Sequence, residues 1–233
     1  MGKNLIQQKR GKGSSTYRRH SFRAVGKARV QDRGSAIITD IVHSKLHTAP
    51  IAKVCYEDGE EGVIIAPEGV CVGQRIVIGS EAPLELGNTL PLKNLPEGSL
   101  VYNIEAQPGD GGKFVRASGG VARIVGKSLA GVIIQLPSKK RKTFNPACKA
   151  SLGVAAGGGR REKPFMKAGR KHHYCKAKNK YWPKVSGAAM NAVDHPLGGK
   201  RSGRKGRPTI VPKNAPPGRK VGMLRPRHTG RNK

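Results

Sequence analysis

Asp194 and His195 stand side by side in MNAVDHPLGGK (190–200), and Asp194 is the only acidic residue of the last 70 positions. An imidazole titrates near pH 6.5, so His195 could act as a general base if a carboxylate oriented its ring. Adjacent residues rarely align as base and orienter, however, and no Ser or Cys nucleophile stands at a recognisable spacing. The residue types favour the alternative, an Asx-type turn in which His195 donates a hydrogen bond to RNA. Cys148, His172, His173 and Cys175 could in principle close a tetrahedral zinc site, but they lack the two-to-four-residue ligand spacings of structural zinc centres. The four cysteines, Cys55, Cys71, Cys148 and Cys175, lie 16, 77 and 27 residues apart with no CxxC pair, which predicts scattered reduced thiols and no metal. His172 and His173 fit better as partners of bases or phosphates. They end GGGRREKPFMKAGRKHHY (157–174), where a triple glycine allows close backbone approach to phosphate and Arg160, Arg161, Lys163, Lys167, Arg170 and Lys171 can bridge strands. The competing reading of this segment is a solvated linker. A dinucleotide or P-loop reading is disfavoured: no GxxxxGK[ST] occurs, and GDGGK (109–113) runs into Phe114.

The elements that must position these residues are marked out by charge. The chain of 233 residues has 45 Lys and Arg against 14 Asp and Glu, a formal charge of +31. Such an excess resists compaction unless an anion neutralises it, which makes nucleic acid the first expected partner and membrane the second. Residues 1–33 carry +9, residues 34–138 carry −3 and residues 139–233 carry +25. The surplus therefore lies in a leader and a tail around a nearly neutral middle. Apolar stretches such as Val63 to Pro67 fall far short of the roughly 18 residues of a spanning helix. The basic start has no following apolar core, so a cytosolic chain without a secretory signal is expected.

The middle reads as β structure. Short runs rich in β-branched residues recur at AIITDIV (36–42), IAKVCY (51–56), GVIIA (62–66), RIVI (75–78), LVYNIEA (100–106), KFVRA (113–117), VARIV (121–125) and GVIIQL (131–136). EDGE (57–60) predicts a hairpin turn. Helix-compatible pieces, Glu81 to Leu86 and Cys148 to Leu152, are a turn or so long. GNTLPLKNLPEGS (87–99), with two prolines and two glycines, predicts a boundary near Leu92 between two small barrels. From Gly157 onward large apolar residues are too sparse to offset the backbone entropy of ordering, about 1–2 kcal/mol per residue. The tail should order only against a partner, where Phe165, Tyr174, Tyr181, Trp182, Met190 and Met223 would find a use.

In its motifs the chain resembles the universal large-subunit ribosomal protein L-two family, in its archaeal and eukaryotic cytosolic form. The resemblance rests on GKGSSTYRRH, IAKVCYEDGEEGVIIAPEGV, GNTLPLKNLPEGS, PGDGGKFVRASG, VAAGGGRREKPFMKAGRKHH, MNAVDHPLGG, NAPPGRKVG and RHTGR, in order along nearly the whole chain. It implies a mainly β fold: a basic arm (1–33), an OB-fold barrel (34–92), an SH3-like barrel (93–160) and an extended basic tail (161–233). It further implies a primary rRNA binder of the large ribosomal subunit that supports subunit association, tRNA binding and the peptidyl-transferase centre. The partners implied are large-subunit rRNA, small-subunit rRNA at the interface, tRNA and other ribosomal proteins, in the cytoplasm, with no membrane and no homo-oligomer. No protein-bound cofactor is implied, and Mg2+ would enter only through rRNA. The family's DHP histidine maps onto His195, for which a direct catalytic role is disfavoured. Leu197 stands where many bacterial members carry a second histidine, which argues against a His-pair mechanism.

The rRNA contacts expected on these grounds are Arg10, Arg18, Arg19 and Arg23 in the arm. In the tail they are Arg160, Arg161, Lys163, Lys167, Arg170, Lys171, His172, His173, Asn191, His195, Arg219 and Lys220. Arg116, Arg123 and Lys127, beside strands, could equally be solvated face residues. Two competing functions are an RNA-directed enzyme using His195 and an unselective compactor of DNA and RNA.

Overall fold

A computed structural model describes residues 2–199, 210–211, 214–216 and 221–224. Two compact units emerge, one of His20–Met166 and one of Met1–Arg19 with Lys167–Lys233. The first unit is a mainly β body of ten strands, β1 (Gly34–Val42), β2 (Ile51–Tyr56), β3 (Glu61–Ile65), β4 (Arg75–Ile78), β5 (Thr89–Pro91), β6 (Leu100–Tyr102), β7 (Ala122–Ser128), β8 (Gly131–Gln135), β9 (Arg141–Phe144) and β10 (Lys149–Leu152). They hydrogen-bond in the order β3-β2-β1-β4-β5-β10-β6-β7-β8-β9. Neighbours are antiparallel apart from the β4–β5 junction, which is parallel at Ile78 and Thr89.

Period-two alternation turns one face of each strand inward. In β1, Ala36 and Ile38 are buried while Ile37 is exposed. A bulge between Ile38 and Asp40 resets the register against β2. The β2–β3 hairpin closes through Glu57–Glu60, where Gly59 adopts φ +81° and Glu60 N–H is accepted by Asp58 Oδ1 at 3.2 Å. A first core gathers Ile38, Val54, Tyr56, Ile64, Ile76 and Ile78. A second gathers Leu90, Leu92, Leu95, Val101, Ile104, Ile124, Val132, Ile134 and Phe144. A third cluster of Ala28, Ile51, Ile65, Tyr102 and Ala155 lies where the two halves meet, and Tyr102 Oη donates to Ile65 O at 3.4 Å. Each fully buried aliphatic side chain contributes about 1.5–3 kcal/mol relative to exposure.

Three expectations change. KFVRA makes only an isolated bridge between Phe114 and Ile104, because Val115 turns to φ +54° and takes the chain out of extended conformation. Cys148 to Leu152 is strand rather than helix, its Lys149–Leu152 part pairing on both sides with β5 and β6. The segment 87–99 contains β5 and sends Leu90, Leu92 and Leu95 into the second core.

The second unit holds α1 (Ile6–Gly11), α2 (Ala168–Ala177) and a parallel pair of β11 (Ile210–Val211) with β12 (Met223–Leu224). A ten-residue helix in the tail differs from the expectation of an extended chain. Ala, Arg, Lys and Tyr at its positions have adequate helix propensity, but only Cys175 is buried, so no apolar periodicity announces it.

Candidate RNA-binding surface

The basic segment leaves the β body at a backbone crossing. Ala155 is fully buried and exchanges hydrogen bonds with the 117–120 loop, Gly119 N to Ala155 O at 2.9 Å and Ala155 N to Gly120 O at 3.1 Å. Flanking it, Glu68 N donates to Val154 O and Ala156 N to Ala66 O, both at 2.9 Å. The chain then emerges through Gly157 (φ +81°), Gly158 and Gly159 (φ +71°). A Cβ on Gly119, itself at φ +64°, would sit 2.8 Å from Gly158 Cα. The crossing places its steric demand on Gly119, since a Cβ on Gly158 would meet Gly119 Cα only at 3.8 Å, while Gly157 and Gly159 serve the exit by their positive φ, a constraint the sequence pattern alone did not separate from phosphate approach.

Beyond that crossing, every residue from 157 to 173 is exposed. Arg160, Arg161, Lys163, Lys167, Arg170 and Lys171 share this stretch with one carboxylate, Glu162. Arg160 Nε donates to Ser118 Oγ at 2.9 Å, which anchors the start of the segment. Phe165 and Met166 are 43% and 77% exposed among these charges. The early turns of α2 present Arg170, Lys171, His172 and His173 to solvent, with the two imidazoles edge to face at 5.4 Å. Arg170 and Lys171 lie near the positive end of the helix dipole, an arrangement that an anion relieves.

In the arm, Arg10 on α1 and Arg18 and Arg19 after it are exposed. Asn179 Nδ2 donates to Ser15 O at 3.3 Å and Arg18 O at 2.7 Å, so the tail fastens the arm by its backbone and leaves its cations free to face outward. Arg23 ends the 3-10 turn Ser21–Arg23, and its side chain lies outside the described residues. Arg219 and Lys220 also lie outside the described residues.

His195 sits in a turn built from backbone. Asn191, exposed, offers its carbonyl to the N–H groups of Asp194 and His195 at 3.0 and 3.1 Å. The turn is therefore held by a main-chain oxygen, not by the Asp194 side chain that an Asx turn would use. Asp194 instead faces Lys3 Nζ at 3.9 Å. The half-buried imidazole packs over Gly187, where any Cβ would fall 2.3 Å from the ring, and its Nδ1 accepts from Leu197 N at 3.1 Å. That bond assigns the proton to Nε2, which makes the neutral ring a hydrogen-bond donor there.

Arg116, Arg123 and Lys127 divide. Arg116 is half-buried, and its Nη2 donates to Ala28 O at 2.5 Å. Burial, and then the nearby Arg29 charge, lower its pKa from the usual arginine value. Lys127 and Arg123 are both exposed, and Lys127 Nζ donates to Lys93 O at 2.6 Å. The GDGG loop binds its own carboxylates rather than a phosphate. Asp110 accepts from the N–H groups of Ala106, Gln107 and Gly112 at 3.0–3.3 Å, and buried Glu105 accepts from Gly109, Gly111 and Lys149 at 2.9–3.2 Å. Among the described residues no three His, Cys, Asp or Glu gather as a metal site, and no helix is long and apolar enough to cross a membrane.

Two family models cover most of the chain. Residues 2–78 match the RNA binding N-terminal domain of Ribosomal Proteins L2, and residues 85–218 match the C-terminal domain of the same proteins. Large ribosomal subunit protein uL2 of Methanococcus vannielii is 48% identical, across 99% of this chain and 100% of the relative. The uL2 of Methanothermobacter thermautotrophicus is 48% identical across all of both chains, and that of Methanobrevibacter smithii is 49% identical across 99% of each. With both halves matched and nearly half the residues shared end to end, this chain belongs to the ribosomal protein L2 family.

Proposed function

We propose that the chain is a structural, non-enzymatic constituent of the large ribosomal subunit in the cytoplasm, and that it is a primary binder of large-subunit rRNA. The observation that carries this reading is the stretch 157–173, exposed throughout and strongly cationic, issuing from a body whose residues 34–138 carry −3. A-form RNA offers phosphates and 2′-hydroxyls more readily than base edges, so exposed Arg and Lys on a fixed exit suit it. In this reading the two cores are an OB-fold barrel over 34–92 and an SH3-like barrel over 93–160, acting as anchors, while 1–33 and 161–233 thread among RNA helices. The contacts are Arg10, Arg18, Arg19, Arg23, Arg160, Arg161, Lys163, Lys167, Arg170, Lys171, His172, His173, Asn191, His195, Arg219 and Lys220. Support of tRNA binding, subunit association and the peptidyl-transferase centre follows through the RNA so ordered, with Mg2+ held by rRNA. Small-subunit rRNA, tRNA and neighbouring ribosomal proteins are the further partners. His195 with its proton on Nε2 is a donor to RNA, while Asp194 is engaged by Lys3.

A sucrose-gradient profile of cell extract tests the proposal. The chain should travel with the large subunit and stay there after a high-salt wash. Recovery in the soluble fractions, or co-sedimentation with duplex DNA at equal affinity, would contradict it.

A further inference from the structure

The arm and tail enclose a cleft of about 270 Å3 lined by Thr16, Tyr17, His172, Lys176, Asn179, Lys180, Tyr181 and Trp182. Three of these side chains, Tyr17, Tyr181 and Trp182, are aromatic in a chain with only 4% Phe, Trp and Tyr, and His172 adds a fourth ring. His172 and Trp182 stand 6.5 Å apart at 57°, and Lys171 Nζ lies 5.5 Å from the indole centroid. Lys176 and Lys180 are exposed at the rim, and Tyr17, Tyr181 and Trp182 are half-buried. The cleft is fastened where it would otherwise open: Asn179, at φ +48°, reaches the carbonyls of Ser15 and Arg18, and Lys180 N donates to Cys175 O at 2.9 Å.

We infer that this cleft captures a single unpaired RNA base, stacked among Trp182, Tyr17 and His172, with its flanking phosphates on Lys176 and Lys180. This deepens the rRNA-binding reading and rests on it. The lining has no carboxylate and no aliphatic side chain, so it offers ring faces and cations together, which is the chemistry of nucleotide stacking. A volume just under the ~300–1000 Å3 of sites for drug-sized ligands suits one base. Bases within an A-form helix keep their faces stacked, so the occupant must come from a loop, bulge or end. The surface of 157–173 binds phosphate without regard to pairing; the cleft selects a site where a base is free.

Trp182 is the only tryptophan of the chain, so its emission reports the cleft directly. The full chain is titrated with short single-stranded oligoadenylate, with blunt duplex RNA and with inorganic polyphosphate, binding being followed separately by sedimentation. The single strand should quench most of the emission, while bound duplex and polyphosphate leave it nearly unchanged. Tyr17→Leu, and independently Lys180→Ala, should weaken single-strand binding about tenfold and leave duplex binding unaltered. Single-strand binding without quenching, or equal quenching by all three polyanions, would overturn the cleft and leave the rRNA-binding reading standing. Failure of the chain to sediment with any RNA would overturn both.

Discussion

Gly119 has room for no side chain: its φ is +64° and Gly158 Cα fills the space a Cβ would take. Gly119→Ala should therefore destabilise the β body by about 1–3 kcal/mol in chemical denaturation, without altering any charge. The same substitution at Gly169, where a Cβ meets nothing within 4 Å, should be neutral or slightly stabilising. At His195 the expectation concerns chemistry. A general base contributes about 100-fold to 10,000-fold to a rate, so selective loss of that size in assembled His195→Ala subunits would contradict a structural role. In His195→Ala, subunit assembly and peptide-bond formation should fall together. Density of charge made Arg160, Arg161 and Lys163 legible in the sequence, because exposure follows from the lack of apolar neighbours. The cleft was not legible, since Tyr17 and Trp182 meet only after arm and tail have joined, and no spacing encodes that.

Strands are where sequence pattern and structure agree best, for a physical reason: AIITDIV, IAKVCY and RIVI are alternating or β-branched runs whose burial needs one sheet face. The pattern weakened where a strand lacks such residues. Strand β9 is RKTF, with three exposed residues before buried Phe144, and its Lys142 Nζ lies 4.1 Å above the Phe114 ring. Strand β5 is TLP, inside the segment read as a boundary for its prolines and glycines, and its Leu90 is buried together with Leu92 just beyond it. Leu92→Ala should cost about 2–5 kcal/mol, as expected of a filled core. Turns hold the acid sensitivity. Hydrogen bonds from Ser35 and Arg75 hold Glu57 below its ordinary pKa. For Asp110 burial pushes the pKa up, but the N–H groups of Gly112, Ala106 and Gln107 outweigh it and the net shift is downward. Carboxylates lowered in the native state bind fewer protons there than when unfolded. The stability they give is complete above the ordinary carboxylate range and is lost as pH falls through their lowered folded values. The denaturant midpoint should drop steeply in that range, and Asp110→Asn should make the drop shallower. Helix α2, with one buried side chain and cations in its first turn, should exchange its amide hydrogens quickly in the free chain and slowly when RNA is bound.

Over the whole molecule the governing quantity is the partition of charge, +9 and +25 at the ends against −3 between. That partition is readable from residue order alone, and it separates a nearly neutral body that folds by burial from strongly cationic extremities. Inside the body Glu57 pairs with Arg75 at 2.6 Å and Asp32 with Lys149 at 2.5 Å, whereas the cations of 157–173 have a single carboxylate, Glu162, among them. The most direct test of the account is the salt dependence of rRNA affinity for the full chain, beside a variant with Arg160, Arg161, Lys163, Lys167, Arg170 and Lys171 replaced by Ala. If about ten phosphates are engaged, log K should fall against log salt with a slope of roughly −7 to −9. The variant should lose about four to five units of that slope. An unchanged slope in the variant, or a slope near zero in the parent chain, would contradict the central claim.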